Sequence, residues 1–226
     1  MDVLSDELRA ELSSLCQNRV DIYGLLSRLY CREVDENLLS DLKSTAFPAK
    51  TGNDNVDAGY RKIATYLSGN LHNNLMELAV DYVNVFLGSG NLTYSAAYPF
   101  ESVYTSEKRL MMQEARDEVL EVYRNANLEI DKGLKDPEDH IAVELLYMQK
   151  QSERTKKALD NNEDNEALEL FAQQRDFFVN HLAAWTPMMT ADMKRIAKTE
   201  FYRGLAFLTE GVLQVDREFL SSIINK

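Results

Sequence analysis

The stretch that says most about the fold is DPEDHIAVELLYMQKQSERTKKALD, residues 136–160. Asp136 is typical of a helix N-cap, and Pro137 follows at the first helical position, where its missing N–H costs no hydrogen bond. The next two residues are acidic, and the positive end of a helix dipole favours acids there. The stretch therefore predicts a helix that begins near Asp136 and runs to about Leu159.

Apolar residues repeat every three or four positions along most of the remaining chain, which is the spacing of one helix face. Glycine and proline are scarce, with 9 and 4 residues in the whole chain, whereas strands joined by hairpins need frequent turn residues. The sequence predicts an all-α fold, a multi-helix bundle in which neighbouring helices pack antiparallel. Helices are expected at about residues 5–32, 35–42, 56–69, 75–88, 106–123, 136–159 and 165–185, with more than one further helix from 186 to 223.

Two breaks divide this helical pattern. The longer break runs from Gly88 to Val103 and contains Pro99, which no helix can pass through without a kink. The other, Asn127 to Lys135, contains Gly133 and leads into the helix start at Asp136. We predict an N-terminal helical part, residues 1–130, and a C-terminal part, residues 131–226, joined by a hinge at about 127–140; the two parts can also form one compact bundle.

The charge of the chain limits its partners. It has 25 Lys and Arg residues against 37 Asp and Glu residues, a formal net charge of −12. Nucleic acids and anionic membrane surfaces favour basic clusters, so neither is an expected partner, whereas basic partners remain possible. The first residues are acidic, and no stretch approaches the ~18 consecutive apolar residues of a membrane span. We expect a cytoplasmic protein without a membrane span.

Motifs for metal binding and catalysis are absent from the sequence. The three histidines and two cysteines form no HExxH or CxxC pattern. The chain also lacks a GxxxxGK[ST] phosphate loop and a GxSxG elbow. We therefore expect no metal site, no catalytic residues and no required cofactor, which favours a binding protein over an enzyme.

Aromatic residues gather around the first break. Tyr82 and Phe86 are four residues apart, so their rings share one helix face. Tyr98, Phe100 and Tyr104 bring three more rings from the segment that follows. The alternative is an ordinary aromatic core beneath a long loop, because rings often fill cores.

A second group of polar residues surrounds the second break. His140 follows Asp136-Pro137-Glu138-Asp139, and Glu144 lies one helical turn beyond it. Helix capping explains the acids but not His140. We predict that Asp139→Ala weakens the binding of a partner and leaves the melting temperature nearly unchanged, whereas unfolding of the variant would favour a capping role.

Taken in order, these motifs resemble the TorD/DmsD family of redox-enzyme maturation chaperones, to which the NarJ group is related. The resemblance rests on Tyr-x-x-x-Phe-Leu-Gly at 82–88, Pro-Phe-Glu-Ser-Val-Tyr at 99–104 and Asp-Pro-Glu-Asp-His at 136–140. Phe-Tyr-Arg-Gly-Leu at 201–205 adds to it, and the similarity extends over roughly residues 19–220. Family members often carry tryptophan at the positions of Tyr82 and Phe100.

The resemblance implies an all-helical cytoplasmic chaperone. Such a protein binds the twin-arginine signal peptide of a molybdenum-cofactor oxidoreductase and holds this client until the cofactor is inserted, before export. It also implies a monomer or a domain-swapped dimer, and weak GTP binding in some members. The alternatives are a GTP-binding or GTP-hydrolysing protein and a helical interaction module for an unrelated partner.

The resemblance also implies a peptide-binding site. Carboxylates can bind arginine side chains, and an apolar groove lined by rings can take the rest of the peptide. We expect the segments Gly88–Val103 and Asn127–His140 to form two walls of this groove. The predicted peptide-binding residues are Tyr82, Phe86, Pro99, Phe100, Ser102, Tyr104, Glu138, Asp139, His140 and Glu144.

Overall fold

The computed structural model describes residues 4–69, 73–88, 96–129 and 136–224. Residues 89–95 of the predicted loop and 130–135 of the predicted hinge lie outside the described residues. The predicted division into residues 1–130 and 131–226 stays a prediction.

The described part of the chain is built of α-helices and contains no β-strand, which confirms the predicted all-α class. Two π-helical turns, Val83–Leu87 and Phe178–Leu182, directly follow α4 and α8. The helices are α1 (Asp6–Cys31), α2 (Glu36–Ser44), α3 (Asp54–Ser68), α4 (Asn74–Tyr82), α5 (Glu101–Thr105), α6 (Glu114–Asn125), α7 (Ile141–Asp160), α8 (Asp164–Phe177), α9 (Ala183–Ile196) and α10 (Glu200–Ile224).

Two helix pairs organise the core. α1 packs along α7, and α3 packs along α10, so each pair joins an early helix to a late one. The helices α3 and α10 approach each other closely because glycine lies where they touch. A Cβ on Gly59 would lie 2.6 Å from the Leu208 backbone nitrogen. Buried apolar side chains from both pairs belong to one continuous cluster.

The ends of the first two helices agree with the sequence. The Ser5 side chain accepts a hydrogen bond from the Leu8 N–H (3.2 Å), and Asp35 accepts one from the Leu38 N–H (2.9 Å). Gly88 ends the π-helical turn after α4 with φ of 74°, a left-handed conformation that glycine adopts without strain. These local signals predicted the boundaries because the capping groups act within a few residues.

The start of α7 differs from the prediction. Its N-cap is His140, not Asp136, and the helix begins at Ile141. The chain first makes a turn in which the His140 N–H donates to the Pro137 carbonyl (3.0 Å), and His140 forms an isolated antiparallel bridge with Phe100. A contact distant in sequence therefore moves the helix start by about one turn.

The start of the helix expected from Ser106 is also wrong, because that helix, α6, begins only at Glu114. A short helix, α5, comes earlier, and its N–H groups at Glu101 and Ser102 donate to Asp139. The chain is then irregular until α6, with left-handed conformations at Arg109 and Met112. Nothing in the sequence around Ser106 indicates that Asp139, the distant hydrogen-bond acceptor, starts a helix at Glu101.

The helix boundary expected at residues 185–186 is absent. Helical turns continue from Asp164 to Ile196 through the second π-helical turn, and Pro187 lies inside α9. The N–H that Pro187 lacks would have reached a carbonyl at the beginning of α9, so only one hydrogen bond near the helix start is lost. Among the described residues, none of the helices has the length and apolar character needed to span a bilayer.

Candidate functional site

The two motifs singled out in the sequence lie against each other. The Glu101 N–H donates to the Asp139 carbonyl (2.9 Å), and the Ile141 N–H donates to the Pro99 carbonyl (2.9 Å). The rings of Phe100 and His140 meet edge to face, with centroids 5.0 Å apart. The segment after the first break is thus joined to the start of α7 by backbone and ring contacts.

Asp139 is fully buried beneath this junction. Its Oδ2 accepts hydrogen bonds from the Ser102 N–H (3.0 Å) and the Ser102 hydroxyl. The Ser102 Oγ in turn accepts the Gln113 N–H (3.2 Å), at the residue before α6. Asp139 therefore links the starts of three helices: α5, α6 and α7.

His140 is held as a neutral ring. Its Nδ1 accepts a hydrogen bond from the Ala142 N–H (3.1 Å), which a protonated nitrogen could not do. Burial lowers the pKa of His140 to about 4, although the negative charges of Asp136 and Asp139 act in the opposite direction. His140 is thus a cap and a packing partner at neutral pH.

A second buried carboxylate, Glu144, lies one helical turn beyond His140 in α7. Glu144 is fully buried and accepts a hydrogen bond from the Trp185 indole N–H (3.1 Å). Burial, and then the negative charge of Glu101, raise the pKa of Glu144 well above its ordinary value. Glu101 lies 3.1 Å from His181 Nδ1, so α5, α7 and the second π-helical turn share this cluster.

Glu138 is a partly exposed carboxylate of the site. Both of its oxygens bind one guanidinium, that of Arg116 in α6, at 2.6 Å from Nε and 3.2 Å from the second nitrogen. Its side chain keeps 20% of its accessible surface. This bidentate pair shows that the position suits a guanidinium.

The predicted aromatic residues separate into different places. Tyr82 and Phe86 are buried, with ring centroids 5.0 Å apart, and the Tyr82 hydroxyl donates to the Tyr30 carbonyl (2.8 Å). Tyr104 is half-buried, stacks on Trp185 at 5.7 Å and donates to Asp192 (3.2 Å). Tyr82 of α4 and Phe86 of the following π-helical turn therefore support the core, whereas Tyr104 reaches the edge of the site.

The junction unites most of the predicted binding residues. These are Pro99, Phe100, Ser102, Tyr104, Glu138, Asp139, His140 and Glu144, whereas Tyr82 and Phe86 lie in the core behind them. Sequence reasoning missed Arg116, Glu101, His181 and Trp185 as their partners. Glu101 lies in the family-like motif at 99–104, but no motif quoted above contains Arg116, His181 or Trp185.

The structure offers no metal centre in the ranges it describes, since no three His, Cys, Asp or Glu residues there could hold an ion together. What the site offers is two partly exposed carboxylates, Asp136 and Glu138, in the segment that leads into the junction. Carboxylates in that setting bind cations, and a guanidinium in particular.

Comparison with known proteins identifies the family. The sequence model of the family described as "Nitrate reductase delta subunit" matches residues 53–191, more than half of the chain. A "Chaperone protein TorD" of Vibrio parahaemolyticus is 26% identical over 93% of this chain and 98% of its own length. Proteins of that name from Shewanella pealeana and Shewanella piezotolerans are 29% and 28% identical, over 95% and 91% of this chain and 95% and 94% of their own lengths.

The family match covers both motifs of the junction, and the relatives align over nearly their whole length. The resemblance predicted from the sequence is confirmed by the family model and by the relatives that align over most of the chain. The chain belongs to the nitrate reductase delta subunit family, together with the TorD chaperones, and is a non-enzymatic maturation chaperone for redox enzymes.

Proposed function

We propose that this chaperone binds the twin-arginine signal peptide of a molybdenum-cofactor oxidoreductase in the cytoplasm and holds the client until its cofactor is inserted. The peptide lies against the junction of Phe100 and His140. One arginine binds Glu138, and the neighbouring Asp136 attracts the second. The net charge of −12 favours the approach of such a basic peptide.

The observation that carries this proposal is the pair of Glu138 and Arg116. A carboxylate that already binds a guanidinium through both oxygens has the geometry needed for a peptide arginine. Because the pair is partly exposed, an incoming arginine can exchange with Arg116 without breaking the core. Arg116 is thus an internal competitor of the peptide.

The test uses a labelled signal peptide and its twin-lysine analogue, with binding followed by fluorescence anisotropy at fixed ionic strength. A lysine cannot form the bidentate contact, so we expect the arginine peptide to bind at least about tenfold more tightly. Equal affinities would count against the proposal.

Two substitutions act in opposite directions on the same contact. Glu138→Gln removes the acceptor charge and should weaken binding about tenfold. Arg116→Gln removes the internal competitor and should strengthen it. If both variants weakened binding equally, the pair would support the fold of the site and would not be exchanged for the peptide.

A further inference from the structure

Three carboxyl groups are buried close together behind the junction. They are Glu101 in α5, Asp139 before α7 and Glu144 in α7, each no more than 3% exposed. In the described part of the chain, His181 is the one basic side chain that forms an ion pair with any of them, at 3.1 Å from Glu101. Three negative charges beside at most one positive charge are very costly to bury, so at least one of these carboxyl groups is neutral.

The hydrogen bonds indicate that Glu144 is the neutral group. Asp139 Oδ2 accepts two hydrogen bonds from Ser102, and Glu101 faces an imidazole, so both have partners that stabilise a carboxylate. Glu144 accepts only the uncharged indole N–H of Trp185, and its Oε1 is buried without a donor among the described residues. The Glu144 side chain lies within hydrogen-bonding reach of Glu101, so a proton on Glu144 turns the unpaired oxygen into a donor to that carboxylate.

Helix α5 depends on these contacts for its position. It has five residues, too few for a helix that is stable alone in water. The hydrogen bonds of Glu101 and Ser102 to Asp139 hold its first turn, and Tyr104 near its end stacks on Trp185. Two ionised carboxylates facing each other across α5 and α7 would repel and oppose this attachment.

We propose that Glu144 and Glu101 form a pH-sensitive switch, in which the protonated carboxyl group of Glu144 donates a hydrogen bond to the Glu101 carboxylate and thereby holds α5 against α7. When Glu144 releases this proton to solvent, two negative charges face each other and α5 separates from α7. Because Phe100 of the junction directly precedes α5, the charge of Glu144 controls whether the junction stays closed. The proposal concerns the fold of the junction and is independent of the ligand that binds there.

Other charged and titratable groups also act on this pair. The negative charge of Asp139 opposes the loss of the proton from Glu144. A histidine ordinarily changes its charge near neutral pH, so the experiment has to distinguish His181 from Glu144. The groups that face the pair or its neighbour Asp139 are Asp139 itself before α7, Tyr123 and Arg116 in α6, and His181 in the second π-helical turn.

The buried proton has a route to solvent. His181, which contacts Glu101 through Nδ1, also lines a cavity of about 290 Å³. The lining of this cavity includes Asn180, which is exposed. The side chains of Glu144, Glu101 and His181 therefore form a row from the buried carboxyl group to the surface.

The test compares two matched variants with the wild type between pH 6 and 10. Glu144→Gln imitates the protonated carboxyl group at every pH, because its amide can accept the Trp185 N–H and donate to Glu101. His181→Gln keeps an N–H donor but does not titrate. Trp185, the single tryptophan, is a reporter within the site, since its indole N–H binds Glu144. Tryptophan emission, amide hydrogen exchange of residues 101–105 and the infrared spectrum are measured for each protein.

We expect the wild type at neutral pH to show the infrared carbonyl band of a protonated carboxyl group, which Glu144→Gln lacks. As the pH rises, the wild-type band should disappear and the emission of Trp185 should shift. The protection of the α5 amides against exchange should then fall by up to about tenfold per pH unit, because one proton is linked to the attachment of α5. Both responses should be absent from Glu144→Gln and present in His181→Gln.

Other outcomes overturn the proposal. The wild type could lack the protonated band at neutral pH, or could keep it without any response up to pH 10. A response that persists in Glu144→Gln and is lost in His181→Gln would assign the switch to the histidine. Failure of Glu144→Gln to fold would also contradict the proposal, because an amide in place of a neutral carboxyl group retains both hydrogen bonds. None of these measurements uses a peptide, so they stand whether or not the proposed function holds.

Discussion

His140 is neutral in the folded protein, and its titration should be visible in the stability. Its pKa is lowered to about 4 by burial, whereas an unfolded histidine titrates near 6.5. Between these values the unfolded chain binds more protons, so this residue stabilises the fold above pH 6.5, and that contribution is lost as the pH falls towards 4. The loss amounts to at most about 3 kcal/mol.

The matched variant is His140→Asn, because asparagine can still cap α7 but does not titrate. Urea unfolding of both proteins between pH 4.5 and 7 should show a smaller decrease in the free energy of unfolding for the variant. If both decreased in parallel, other groups would be responsible for the acid sensitivity.

Asp139 gives a second prediction for a single residue. It decides whether Asp139 serves binding alone or also supports the fold. Replacing this buried carboxylate with alanine leaves the N–H and hydroxyl of Ser102 without their acceptor. We expect Asp139→Ala to lower the free energy of unfolding by about 2–3 kcal/mol.

The control is the neighbouring, partly exposed residue. Glu138→Gln should change the melting temperature less than Asp139→Ala does, because the pair of Glu138 and Arg116 keeps access to solvent and glutamine can still accept a hydrogen bond from Arg116. A wild-type melting temperature for Asp139→Ala would instead favour the interpretation in which Asp139 serves peptide binding alone.

Among the helices, the close approach of α3 to α10 makes a testable contribution to stability. A Cβ on Gly59 would lie 2.6–2.8 Å from the backbone and Cβ of Leu208, and backbone cannot move aside cheaply. We therefore expect Gly59→Ala to destabilise the protein by about 1–3 kcal/mol, measured by urea unfolding.

Gly24 in α1 is the comparison for Gly59. The three atoms nearest to a Cβ there all belong to the end of the flexible Gln149 side chain, which can move more cheaply than backbone. Since alanine favours the helix by up to about 1 kcal/mol, Gly24→Ala should be neutral or stabilising. Equal losses at both positions would show that the α3–α10 approach has no special role.

Sequence patterns predicted those elements whose causes are local. The long apolar repeats of α1 and α7 and the caps at Ser5 and Asp35 act within a few residues of chain, so they can be seen in the sequence. Helix α5 depends on acceptors from Asp139, 37 residues away, and no local pattern records this. The two π-helical turns likewise have no sequence signal that we could identify.

The candidate site was predictable to a similar extent. Motif order indicated that the segments around Phe100 and His140 belong together, and the structure joins them. The inward direction of Tyr82 and Phe86 could not be predicted, because α4 is apolar on both faces and spacing alone does not say which face packs. The pairing of Glu138 with Arg116 depends on the tertiary position of α6.

At the scale of the whole molecule, the two halves of the sequence depend on each other. α1 from the first half needs α7 to cover its apolar face, and α10 from the second half needs α3. Burial against a partner supplies most of the stability of such helices. A cut at the predicted boundary near residue 130 therefore separates each helix from its main packing surface.

We accordingly expect fragments 1–130 and 131–226 to be largely unfolded alone and to regain helix when mixed, as measured by far-ultraviolet circular dichroism. The intact chain should unfold in one step, with the helix signal and the fluorescence of Trp185, the single tryptophan, changing together. Trp185 is fully buried in α9 and contacts α5 and α7, so its signal reports on both halves. A stable isolated fragment, or two separate transitions, would show instead that the halves are independent domains. Each half would then fold alone, and the shared core would only be the surface through which they associate.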